Sequence, residues 1–76
     1  MSLHHSEQTQ RNLVARLPEV TGRPLHDWFQ AIDAGPALLR FEERVSWLRS
    51  EFNLSYGYAS ALIHEHDVHK AARAFA

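Results

Sequence analysis

Apolar residues in this chain recur three and four positions apart and nowhere alternate for long, a spacing that restricts it to helices and leaves no segment reading as a strand. Leu25, Trp28, Phe29 and Ile32 are the clearest case. At i, i+3, i+4 and i+7 they set four large groups on one side of a helix. Pro24 suits the first turn of that helix, Asp27 places negative charge near the positive end of its dipole, and Asp33-Ala34-Gly35-Pro36 stops it.

Three other stretches repeat the pattern. From Gln8 to about Val20, the residues Leu13, Val14, Leu17 and Val20 form one stripe; Pro18 should kink or loosen the last turn, and Gly22 supplies a left-handed closing position. A third helix starts between Pro36 and Phe41 and carries Phe41, Val45, Leu48 and Phe52 on one face, with Arg40, Glu43, Arg44, Arg49 and Glu51 on the others. Asn53 tolerates the left-handed conformation that ends a helix, and Leu54 is placed to fold back as its apolar contact. Ser55 can then cap a fourth helix running from Tyr56 towards Arg73, with Tyr58, Ala59, Leu62, Ile63 and His66 on its inner face. The small Ala59 and Ala61 would let a neighbouring helix come close. The expected fold is all-α: a compact four-helix domain with short connections, its last two helices forming a helix-turn-helix-like pair.

Seventy-six residues make one domain and one core, and without cysteine neither disulfides nor thiolate zinc can staple it. An apolar share of 45% is enough to build that core. Residues 1–7 read as a disordered or tag-like N-terminus and 8–76 as the single helical domain. Eight basic and nine acidic side chains are interspersed rather than blocked, so there is no basic stripe of the kind that binds nucleic acid or anionic membrane. The longest apolar runs are too short to span a bilayer, and a cytoplasmic location is the default expectation.

With these elements in place, the chain resembles the family of small helical modules catalogued as domain of unknown function 4287. The likeness runs from about Asn12 to His66. It is carried by Asn12-Leu13 through Leu17-Pro18-Glu19, by Thr21-Gly22-Arg23 before Leu25-His26-Asp27-Trp28, by Val45-Ser46-Trp47-Leu48-Arg49, and by Phe52-Asn53-Leu54-Ser55-Tyr56-Gly57-Tyr58-Ala59. Family members typically show Thr-Gly-Lys followed by Ser-Leu-Glu-Glu-Trp. Here Arg23 keeps the positive charge, whereas Pro24 stands where the capping serine would be. Asn53 replaces a common glycine, and Ser55 and Tyr56 replace a glycine and a histidine. The resemblance implies a fold and no activity.

No catalytic, cofactor or metal residue is nominated. In His64-Glu65-His66-Asp67-Val68-His69, His66 and His69 share a helix face at i, i+3, but a zinc site would need further ligands such as His26 or Glu65. The favoured reading puts His66 at the core edge, with His64 and Asp67 facing water. The serines at 46, 50, 55 and 60 have no nucleophile elbow, and the glycines at 22, 35 and 57 are too far apart to cradle phosphate. Trp28 reads as core. Trp47 reads either as a half-buried shoulder or as part of an exposed patch with Tyr56. Two functional readings follow. The first is a non-enzymatic interaction module that binds another protein or its own copy through Trp47, Tyr56, Tyr58 and Phe75 at the end of the last helix. The alternative is a weak nucleic-acid binder using Arg11, Arg16, Arg23, Arg40, Arg44 and Arg49 on phosphates. It is disfavoured because the fourth helix would present Tyr56, Gly57, Ser60, Ala61 and His64 outward, none suited to reading base edges.

Overall fold

Each periodic stretch becomes a helix in the computed structural model, which describes residues 7–74: α1 (Glu7–Thr21), α2 (Leu25–Ala34), α3 (Phe41–Phe52) and α4 (Tyr56–Ala74), with no strand among the described residues. Of the expected disordered N-terminus, residues 1–6 lie outside the described residues, and Glu7 opens α1. Pro18 removes one backbone donor, yet α1 runs on to Thr21. Gly22 then takes φ 72°, and its N–H closes on the Pro18 carbonyl at 2.8 Å.

Thr21 is the hinge pin of the α1–α2 corner. Its hydroxyl donates to the Leu17 carbonyl at 2.6 Å and accepts from the Arg23 N–H at 3.3 Å and the Trp28 Nε1–H at 3.2 Å. A hydroxyl carries one proton and two lone pairs, so all three bonds can form together, and the buried indole has its acceptor. The seven-residue interval from Thr21 to Trp28 thereby gains a physical meaning. Pro24 precedes α2 without any side-chain cap, and its carbonyl takes the Asp27 and Trp28 amides at 3.0 and 3.2 Å instead.

α2 ends at Gly35, whose role is close approach: a Cβ there would lie 2.5 Å from the Trp47 ring. Trp47 is half-buried under that loop and meets Phe52 edge-on at 5.7 Å, which makes it a shoulder of the core. α3 starts at Phe41 and ends at Asn53, which adopts φ 57°, ψ 39°, the left-handed cap. Leu54 packs back on the core, and Ser55 Oγ accepts the Tyr58 N–H at 3.3 Å as the α4 cap.

α4 is the central element, flanked by α3 after a three-residue turn and by α1 on another side. Leu17, Trp28, Val45, Leu48, Ala59, Leu62 and Ile63 form the buried cluster, with Leu25, Phe29, Ile32 and Phe52 partly buried against it. Two placements depart from the expected stripes. Val20 is 60% exposed because it follows the stretch of α1 that crosses the core, and Phe41, in the first turn of α3, is 38% exposed. The third departure concerns Ser60, expected to face outward, and Ala61, given both an outward place and a close helix neighbour, of which the fold supplies the second. Both are buried, because α1 lies over this face and Gln10 Nε2–H donates to the Ala61 carbonyl at 2.7 Å. Their small side chains are what permits the approach.

Candidate functional site

Of the residues expected to form a contact patch, the three that are described, Trp47, Tyr56 and Tyr58, sit in three different surroundings. Trp47 packs under Gly35, whereas Tyr56 docks on the far side of α3, donating its hydroxyl to Glu42 Oε1 at 2.9 Å with the Arg49 guanidinium 5.8 Å from its ring. On α3, Glu42 and Arg49 are one heptad apart and so share a face, with Trp47 well round the helix from it. The Glu42 hydrogen bond, aided by desolvation and the carboxylate's charge, raises the Tyr56 pKa above the ordinary phenol value, with Arg49 opposing. Phe75 lies outside the described residues.

Tyr58 sits elsewhere, in a cleft that the linear sequence gave no sign of. The α1–α2 corner and the α3–α4 turn come together there. Val20, Thr21, Arg23, Trp28, Phe52, Asn53, Leu54, Ser55 and Tyr58 enclose about 530 Å³. Trp28 and Phe52 meet edge-on at 5.1 Å, and the Arg23 guanidinium covers both rings, 4.7 Å from the indole and 5.2 Å from the phenyl. A planar guanidinium stacks on aromatic faces better than an ammonium does, which suits arginine to this position. Two of the segments that carry the family likeness thus meet at one end of the molecule, although neither contains the whole cleft.

A second cleft of about 600 Å³ opens between α2 and the later turns of α4, lined by His26, Phe29, Gln30, Asp33, His66, His69, Lys70, Arg73 and Ala74. At its closed end His66 is buried as expected, 6% exposed, but it is more than a histidine at the core edge. Its Nε2 lies 2.8 Å from Asp33 Oδ1 and its Nδ1 3.3 Å from Arg44 Nη2, while Arg44 Nη1 donates to Asp67 Oδ1 at 2.8 Å. A guanidinium can only donate, so Nδ1 accepts and the ring proton sits on Nε2, where it is donated to Asp33. Both ring nitrogens are engaged, and the network joins α2, α3 and α4. Sequence spacing could not find it, because Asp33, Arg44 and His66 are brought together only by the packing of three helices. His69 lies against Phe29 at 5.1 Å and His64 is exposed. Among the described residues no three histidine or carboxylate groups are placed to hold a metal, and no helix is long and apolar enough to cross a membrane.

The described residues form a small all-helical module that carries an aromatic cleft and a basic cleft. Residues 9–68 match the family described as Domain of unknown function (DUF4287), and the chain belongs to that family. No curated protein and no solved structure matches it. The matched stretch closes at Val68, two residues after His66, the last buried residue of the chain's described part.

Proposed function

We propose that this chain is a non-enzymatic interaction module that binds another protein, or a second copy of itself, through the cleft formed by the α1–α2 corner and the α3–α4 turn. One observation carries the reading: the solvent-open pocket is walled by Trp28, Phe52, Leu54 and Tyr58, lipped by the 60% exposed Val20 and edged by Arg23. Aromatic side chains and arginine around a small apolar pocket are the chemistry of protein-binding hot spots. The matching partner presents an apolar side chain to the pocket and a carboxylate to Arg23.

The absence of an enzymatic role is part of the proposal. Its support is that the polar groups best suited to chemistry hold the fold together: Thr21 fastens the corner, Ser55 caps α4, Ser60 donates to the Gly57 carbonyl, and His66 has no free ring nitrogen. Against the nucleic-acid alternative stands the burial of Ser60 and Ala61 under α1, which covers the face a recognition helix would need. Arg23, Arg44 and Arg49 are in addition held on rings or on Asp67.

The test is Val20→Asp, an exposed change that leaves the core intact. Light scattering over a concentration series, and capture of partners with and without nuclease, should show association in the parent and its loss in the variant. A parent that is monomeric at every concentration, together with identical captured proteins for both forms, would sink the proposal. Trp47→Ala is a poorer probe, because that ring supports the Gly35 loop.

A further inference from the structure

The second cleft has a different chemistry from the first. Along α2, His26, Phe29, Gln30 and Asp33 fall at i, i+3, i+4 and i+7, and along α4, His66, His69, Lys70 and Arg73 fall at i, i+3, i+4 and i+7, so two matching faces look at each other across the space. Contacts at the closed end fix the pairing: Asp33 with His66, and Phe29 with both His66 and His69 at ring distances of 5.4 and 5.1 Å. Between the two faces lies about 600 Å³, a volume in the range that small ligands occupy.

The lining is cationic in a chain whose formal charge is -1. Lys70 and Arg73 supply two fixed positive charges, and neither has an ion-pair or hydrogen-bond partner among the described residues, whereas Arg44 is held by Asp67. Imidazoles from His26 and His69 and the Gln30 amide add donors, and the single carboxylate, Asp33, already accepts from His66. Phe29 offers an apolar face to whatever enters.

We propose that this cleft binds a small phosphate monoester with a flat apolar body, its phosphate between Lys70 and Arg73 and its body against Phe29 and His69. A phosphate monoester carries a charge approaching two at neutral pH, which matches the two cations, Lys70 and Arg73, better than a carboxylate does. Lys70 and Arg73 lie just beyond the stretch matched to the family, whereas Phe29 and His66 lie within it.

The experiment is a titration of the full chain with phenyl phosphate, followed by amide chemical shifts and by calorimetry, with benzoate and inorganic phosphate as parallel probes at equal ionic strength. Expected are saturable shifts confined to α2 and the later turns of α4, binding by phenyl phosphate at least about tenfold tighter than by either other probe, and a loss of tenfold or more in the Lys70→Ala, Arg73→Ala double variant. Both substitutions are at exposed positions, and circular dichroism verifies that the variant stays helical. The proposal is overturned by non-saturable or dispersed shifts, by unchanged affinity in the folded double variant, by benzoate binding as tightly, or by inorganic phosphate binding as tightly. That last outcome would show that Phe29 contributes nothing.

Discussion

From Ala59 to Ile63 every residue of α4 is buried, and from Asp67 to Ala74 every residue is exposed, although one unbroken helix carries both. The first segment lies between α1 and α3, so even its small and polar members, Ser60 and Ala61, are covered. The second is touched by α3 at its first residue, where Arg44 holds Asp67, and beyond that its later turns line the basic cleft facing α2. Helix formation and helix burial are therefore separate matters here. Propensity and capping extend α4 through Ala74, while stability is concentrated in its first half, where each fully buried aliphatic side chain such as Leu62 or Ile63 is worth about 1.5–3 kcal/mol.

The contrast can be broken most forcefully at Leu62. Leu62→Ala leaves a cavity at a fully buried site and is expected to cost about 2–5 kcal/mol in chemical denaturation. Next in size is a matched pair: Ala61→Leu should overpack the α1–α4 contact and cost about 1–3 kcal/mol, whereas the same enlargement at Ala72 should stay within about 0.5 kcal/mol. Equal costs at the two positions would erase the distinction between the halves of α4. At the boundary, His66→Ala removes a buried ring along with its bonds to Asp33 and Arg44, for an expected loss of about 1–3 kcal/mol. Its neighbour across the boundary should matter less. Asp67→Ala breaks the Arg44 pair at a 46% exposed carboxylate, and a double-mutant cycle should give about 0.2–1 kcal/mol, shrinking as salt is raised.

The smallest effect concerns the exposed start of α4. Tyr56 has its phenol pKa raised in the fold, first by the hydrogen bond to Glu42, so the neutral form is the favoured one. Its stabilising contribution is complete below the unfolded phenol value of about 10 and disappears as pH climbs through the folded value. Glu42→Ala should bring tyrosinate absorbance in at lower pH, read in a Tyr58→Phe background so that one phenol reports. An unmoved onset would mean that the Tyr56–Glu42 bond does not persist in solution.

The fold was legible because its signals are local. The quartet Leu25, Trp28, Phe29 and Ile32 gave α2, Gly22 and Asn53 gave the left-handed corners, and Ser55 gave the cap of α4. Legibility failed where a second element decides. Ser60 read as outward, and Ala61 both as outward and as small enough to admit a neighbouring helix; only the packing of α1 decides that both are covered. Gly35 read as punctuation, and its actual constraint is the Trp47 ring beneath it. Among the described residues of the expected patch, Tyr58 alone lines the aromatic cleft, because Trp47 and Tyr56 leave α3 and α4 in directions that the helix packing, and not the sequence interval, sets apart.

Four amphipathic stretches, their stop signals and the lack of any cross-link were enough to determine an all-helical chain held by side-chain packing. Tertiary structure alone decided that residues from both corners enclose one aromatic pocket, that Asp33, Arg44 and His66 join three helices, and that the last turns of α4 stand bare. The reason is range. Hydrophobic period and capping act within a turn or two of helix, whereas a cleft is made by side chains that are distant along the chain and adjacent only after the helices have packed.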